Sequence, residues 1–244
     1  MKKLNTKEIT VVGILLALMI VLAATPLGFI PIGPINATTI HIPVIIAAVL
    51  YGRKISLIMG LFFGLISFAR AFLNPSIVSF ILMDPLVSII PRILMGYLTG
   101  LLFDLIRDKN DKIIKIIAGI ISLLLSVNII RRIITSTDTI NTVSLVVLLL
   151  FLVAGSYFIL IKSESRAYKV YLTASVGSLL NTIFFLTAVY FLHAEEYIKA
   201  IGKSGSAIGV IMNIVYVNGI MEAIVSAIIV TGIYLRIKKV RIFK

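Results

Sequence analysis

The chain has 244 residues, 60% of them hydrophobic and only 14% charged, with a mean hydropathy of +1.14. A soluble domain carries roughly 25% charged residues; the apolar runs recurring here along the whole chain exclude a water-soluble globule and predict an all-α polytopic membrane protein. The formal charge of +13 does not signal nucleic acid, because the basic residues sit at the ends of apolar runs, with no basic stripe of interleaved aromatics.

The first apolar segment, 9–25, follows Lys2, Lys3 and Lys7 and resembles a secretory signal. It is long for a signal core and more spans follow it, so an uncleaved first helix is expected. The connection at 26–37 holds Pro26, Gly28, Pro31, Gly33 and Pro34 and cannot continue a helix. Segment 38–52 is short and carries Pro43, so a re-entrant loop competes there with a crossing. Segments 55–72 and 86–106 flank a loop with Asn74, Pro75 and Pro85. Segments 113–130 and 143–161 flank Arg131, Arg132 and Asp138. Segment 170–192 leads into a polar, Gly/Ser-containing stretch from His193 to Asn213, long enough for a lid, and 214–235 comes last. About eight spanning helices are expected.

Basic residues choose the topology. With the N-terminus inside and every segment crossing, Arg53, Lys54, Arg107, Lys109, Lys112, Lys115, Lys162, Arg166 and Lys169 fall inside, as does the basic tail from Arg236 to Lys244. The outer loops keep Arg131, Arg132, Lys199 and Lys203, with Arg70 and Arg92 near outer helix ends. If 38–52 did not cross, Arg53 and Lys54 would lie outside. The expected arrangement is therefore N-in/C-in, with structured outer loops suited to capturing a ligand from outside.

An ionisable residue within a span costs several kcal/mol unless it is paired or wetted. Arg92 lies about two turns into the fourth segment, and Glu222 about two turns into the last, with Asn218 four residues before it on the same face. Asn181 sits mid-span and His41 opens the second segment. Two readings fit: an Arg92–Glu222 ion pair that joins two helices, or a wet pocket in which an arginine fork takes a carboxylate and amides serve hydroxyl or amide groups. Both can hold together.

Small residues at spacing four permit close helix contact, as in Gly13/Ala17, Gly60/Gly64, Gly96/Gly100 and Ala223/Ala227. Ordinary bundle packing is expected for Gly60/Gly64 and Gly96/Gly100. Catalysis has little support. His41 and His193 are far apart in sequence, no H-E-x-x-H helix occurs, and Asp84 and Asp104 belong to opposite ends of one span. No Gly-rich loop ending in Gly-Lys-Ser/Thr is present, so ATP binding by this chain is not expected. The absence of cysteine excludes disulfides and thiolate metal sites; no metal site is expected.

Four stretches in order resemble the S components of energy-coupling factor (ECF) transporters, the vitamin-binding membrane subunits. They are Ile35-Asn36-Ala37-Thr38-Thr39-Ile40-His41-Ile42-Pro43-Val44-Ile45-Ile46, Pro91-Arg92-Ile93-Leu94-Met95-Gly96, Gly177-Ser178-Leu179-Leu180-Asn181-Thr182 and Asn218-Gly219-Ile220-Met221-Glu222-Ala223-Ile224. The resemblance covers about 5–110 and 165–240 and is greatest to pantothenate members. It implies one transmembrane domain over 1–244. Within it, a six-helix S-component-like bundle (5–110 and 165–240) carries two additional inserted helices over 111–164. It further implies a bacterial plasma-membrane subunit that captures a vitamin and docks on a transmembrane scaffold driven by two cytoplasmic ATPases, with no cofactor of its own and no enzymatic activity. Substrate contacts are expected at Asn36, His41, Asn74, Arg92, Asn181, Asn218 and Glu222, and docking contacts at Gly13 and Ala17. The competing readings are an S component for riboflavin, folate or a corrinoid, and a stand-alone ion-coupled carrier that titrates Glu222.

Overall fold

Helices end where glycine, proline or charge interrupts the apolar runs. The computed structural model describes residues 6–32, 35–73, 75, 79–136, 139–157, 166–200 and 206–239. The first helix, α1 (Thr6–Ala24), buries the stripe Leu15, Met19 and Ala23 and leaves Ile9, Ile14, Leu18 and Ile20 exposed. Spacing of four on one face makes it a peripheral helix leaning on the bundle.

Where sequence suggested an irregular loop, the chain forms a hairpin. Strand β1 (Phe29–Ile32) pairs antiparallel with β2 (Ile35–Thr38), with Phe29 opposite Thr38 and Ile32 opposite Ile35. The Thr39 hydroxyl donates to the Leu27 carbonyl at 2.7 Å and fixes the hairpin's base. Then comes α2 (Ile42–Tyr51), only ten residues long. Pro43 sits in its first turn, where a missing N–H costs nothing. Ile42 through Val49 are all buried, as expected of a helix that is apolar all round. Gly52, at φ 75°, ends it in a conformation that side chains rarely adopt.

Helices α3 (Arg53–Leu73) and α6 (Ile90–Ile106) pack backbone to backbone, as the glycine spacing predicts. A Cβ at Gly60 would strike the Arg92 carbonyl, and one at Gly96 the Ser56 carbonyl. Gly64 and Gly100 meet Ile89 and Arg53 in the same way. Two short helices, α4 (Ser79–Leu82) and α5 (Pro85–Ser88), connect α3 to α6. Asp84 caps α5 by accepting from the Leu86 amide at 2.8 Å.

Helix α7 (Asp111–Thr135) packs Ile114 and Ala118 against Tyr168, Tyr171 and Leu172 of α9 (Ala167–Ala200). Helix α8 (Thr139–Tyr157) sets Leu145 and Leu152 against Met221 and Ile224 of α11 (Ile220–Lys239). Lys169, buried, donates to the carbonyls of Arg107 and Lys109 at 2.8 and 2.9 Å and pairs with Asp111 at 2.9 Å, tying α9 to the α6–α7 connection. Much of the stretch from His193 to Asn213 is helical rather than loop. α9 runs on to Ala200 past a break at His193 (φ −142°, ψ 30°), and α10 (Ala207–Ile214) follows. A π-turn, Val215–Gly219, joins α10 to α11.

All eight expected apolar segments contain helix. Five helical stretches are long and apolar enough to cross a membrane: Arg53–Leu73, Pro85–Ile106, Asp111–Thr135, Ala167–Ala200 and Ile220–Ile237. Glu8–Ala24, Ile42–Tyr51 and Leu145–Tyr157 are shorter apolar helices.

Candidate functional site: a cavity within the helix bundle

A cavity of about 570 Å³ opens between the hairpin, α3, α6, α9 and the start of α11. That volume lies within the usual range for small-molecule sites, roughly 300–1,000 Å³. Phe63, Ile66, Ser67 and Arg70 line it from one face of α3, and Asn181, Thr182 and Phe185 from one face of α9. Spacings of three and four make these single stripes. Asn218 enters from the π-turn before α11, Glu222 from the first turn of α11 and Thr38 from the end of β2.

Arg92 is buried, yet it is well held. Its Nη1 donates to the Val87 carbonyl at 2.6 Å, and its guanidinium carbon lies 4.4 Å from the Phe185 ring centre and 5.6 Å from that of Phe63. Aromatic faces stabilise a desolvated guanidinium by cation–π attraction without consuming its N–H groups. Its Nε has no hydrogen-bond partner. Glu222, also buried, accepts from the Thr38 amide at 3.0 Å and from the Thr182 hydroxyl at 2.9 Å. Among the described residues no ion pair joins Arg92 to Glu222; each has its own supports, and both face the same space.

Asn181 Oδ1 is buried without a partner. Buried polar atoms in native proteins are nearly always hydrogen-bonded, so an unmatched donor on Arg92 and an unmatched acceptor on Asn181, lining one cavity, mark a place for a polar guest. Asn218 sits in the π-turn; such widened turns are frequent at functional sites.

Of the seven residues expected to meet substrate, Arg92, Asn181, Asn218 and Glu222 line this cavity. His41 does not. It is fully buried just before α2, with Nε2 3.0 Å from Ser178 Oγ and 2.9 Å from Ser226 Oγ, so it pins α2 to α9 and α11 behind the cavity wall. Asn74 lies outside the described residues, as does the side chain of Asn36 in β2. Sequence reasoning passed over Thr38, Ser67, Arg70, Thr182, Phe185 and Tyr197 as site residues. Arg70 carried the one available signal: it stands one turn from Ser67 on the face of α3 that holds Phe63.

The family model described as "ECF transporter, substrate-specific component" matches residues 7–134. The chain belongs to this family. Over 113 residues it is 34% identical to the pantothenate transporter PanT of Leuconostoc mesenteroides subsp. mesenteroides, a match covering 43% of this chain and 55% of that protein. Over 125 residues it is 27% identical to the pantothenic acid transporter PanT of Lactococcus lactis subsp. cremoris, covering 45% of this chain and 64% of that one. In each case the match spans less than two thirds of the relative's length. The family match includes the hairpin, α3, α6 and nearly all of α7, and so takes in Arg92.

Proposed function

We propose that this chain is the substrate-binding subunit of an ATP-driven ECF importer and that its ligand is pantothenate. The observation that carries this reading is the cavity shared by Arg92, Asn181, Asn218 and Glu222, in a chain whose relatives bear pantothenate transporter names. Pantothenate offers a carboxylate, hydroxyl groups and an amide. The unmatched Arg92 donor suits the carboxylate, and the unmatched Asn181 acceptor suits a hydroxyl or the amide N–H. Glu222 keeps lone pairs beyond its two protein bonds and can accept a ligand hydroxyl. Asn36 and Asn74 complete the proposed contacts, while His41 supports the wall.

The protein sits in a bacterial plasma membrane with about eight crossings, both termini inside, and takes ligand from the outer face. Helix α2 is the demanding segment. Its ten residues rise only about 15 Å, half of a hydrocarbon core of roughly 30 Å. The extended hairpin strand leading into it supplies reach at about 3.3 Å per residue. Gly13 and Ala17 form the docking contact with the transmembrane scaffold: both are exposed on α1, and a Cβ at Gly13 meets nothing within 4 Å. Two partner ATPases hydrolyse ATP; this chain performs no chemistry and needs no cofactor. Residues 111–164 form an addition beside a core of 5–110 and 165–240.

Reconstitution tests this reading. Purified chain in liposomes should accumulate no pantothenate, with or without a proton or sodium gradient, until the scaffold and ATPases are added with ATP. Gradient-driven uptake by the chain alone would instead make it a carrier.

A further inference from the structure

Serine and threonine in a helix can satisfy themselves by donating to the carbonyl four residues back. Within α9, Thr173 donates to the Lys169 carbonyl at 2.8 Å and Ser175 to the Tyr171 carbonyl at 3.0 Å. Thr182, buried on the same helix, departs from this habit. Its Oγ1 lies 3.5 Å from the Ser178 carbonyl but 2.9 Å from Glu222 Oε2, so its one hydrogen goes across to α11. Its methyl is seated at Gly219 of the π-turn, where an added Cβ would stand 3.3 Å from Thr182 Cγ2. The other carboxylate oxygen, Glu222 Oε1, accepts from the Thr38 amide at 3.0 Å. Glu222 is thus held by α9 at one oxygen and by the hairpin at the other, and each oxygen keeps a lone pair to spare.

We infer that Thr182 is a positioning residue: its hydroxyl sets the plane of the Glu222 carboxylate so that a spare lone pair meets a ligand hydroxyl, and the site thereby tells a hydroxylated ligand from its deoxy counterpart. The inference rests on the pantothenate reading and deepens it. The Thr38 amide fixes one oxygen and leaves the carboxylate able to turn; the Thr182 hydroxyl fixes the second. Thr182 also borders the cavity, so direct contact with the ligand is the rival role. Coupling separates the two, because a residue that acts through Glu222 loses its effect once Glu222 is changed.

The full-length chain in detergent is titrated calorimetrically with pantothenate and, separately, with its two deoxy analogues, each carrying hydrogen in place of one hydroxyl. Wild type should favour pantothenate over one analogue by about tenfold or more, the scale of one charge-assisted hydrogen bond. Thr182→Val keeps the branched shape and loses the hydroxyl. It should shrink the preference to less than about threefold, through weaker pantothenate binding with analogue affinity nearly unchanged. Thr182→Ser should keep most of the preference. Glu222→Gln should lose it too, and adding Thr182→Val to that variant should change little further. The wild-type preference in Thr182→Val overturns the inference, as does equal weakening of all three compounds, since Thr182 would then hold only the fold. Thr182→Ser behaving like Thr182→Val overturns it, and so do fully additive losses in the double variant, which would make Thr182 a ligand contact. A wild type that binds pantothenate and both analogues alike overturns the inference and leaves the pantothenate reading standing. A wild type that binds none of the three ends that reading itself, and with it the role of Thr182.

Discussion

At the scale of single residues, Arg92 shows how a buried cation is kept without being used up. One N–H is spent on a carbonyl, two ring faces replace lost water, and Nε is left over. A charge-assisted bond contributes about 1.5–3 kcal/mol, so Arg92→Gln should weaken pantothenate binding about tenfold to a hundredfold. Arg92→Lys keeps the charge without the planar fork and should recover only part of that loss. Calorimetry on the two variants checks both statements, and Arg92→Gln at wild-type affinity would remove Arg92 from the site. A second residue-scale contact joins α5 to the break in α9. Asp84, beside α5, lies 3.0 Å from His193 Nε2 at the break in α9. The hydrogen bond from His193 chiefly, with help from the Leu86 amide, holds the Asp84 carboxyl below the usual carboxylate range. Stability from a depressed acid is present above its unfolded value and fades as pH falls through the folded one. The clasp should therefore be intact at neutral pH and weaken below about pH 4. Asp84→Asn should remove that acid-dependent part of a thermal melting curve, and an unchanged difference between wild-type midpoints at pH 3.5 and 6 would contradict it.

Four of the cavity residues were legible in the sequence because of what they cost. Arg92, Asn181, Asn218 and Glu222 interrupt apolar runs, and lipid gives such groups no partner. Arg70 looked like an ordinary charge near a helix end, and threonines are cheap enough in a membrane helix to pass unnoticed. His41 differs: the serines its Nε2 meets, Ser178 and Ser226, lie far away in sequence, so its place outside the cavity lining was not legible, and its Nδ1 is buried without a hydrogen-bond partner.

At the scale of elements, glycine means two different things here. Gly60 and Gly96 sit where α3 and α6 touch backbone to backbone, and an added Cβ must push the helices apart. Gly96→Ala should destabilise the protein by about 1–3 kcal/mol, as overpacking does. Gly13→Ala meets open space and should be neutral or slightly stabilising, since alanine favours helix by up to about 1 kcal/mol. Thermal melting of the two variants in one detergent makes the comparison, and equal losses would contradict the packing described. The pair α7 and α8 gives a second element-scale prediction. No described residue between Arg92 and Asn181 lines the cavity, while both helices bury apolar surface on α9 and α11. Replacing 111–164 with a short polar linker should lower stability and keep pantothenate binding. A correctly inserted variant that binds nothing would show that the pair shapes the site. Helix positions followed from apolar periodicity, but the hairpin did not, because four-residue strands among prolines and glycines read as loop. The helical run through His193 was missed likewise, since its polar residues obeyed no apolar period.

At the scale of the whole molecule, the cysteine-free sequence makes topology accessible to single introduced thiols. An impermeant reagent on intact cells should label Gly33→Cys, Asp138→Cys and Gly205→Cys, and spare Lys109→Cys and Arg241→Cys. Labelling at 109 with protection at 138 would contradict eight crossings with both termini inside. The central claim, that this membrane bundle keeps pantothenate in the cavity of Arg92 and Glu222, is most directly tested by competition among vitamins. Purified chain is incubated with equal concentrations of pantothenate, riboflavin, folate and a corrinoid, washed, and its retained small molecules are identified by mass spectrometry. The account predicts pantothenate, retained close to one per chain by wild type and much depleted in Arg92→Gln. Retention of one of the other three, or of none, would contradict it.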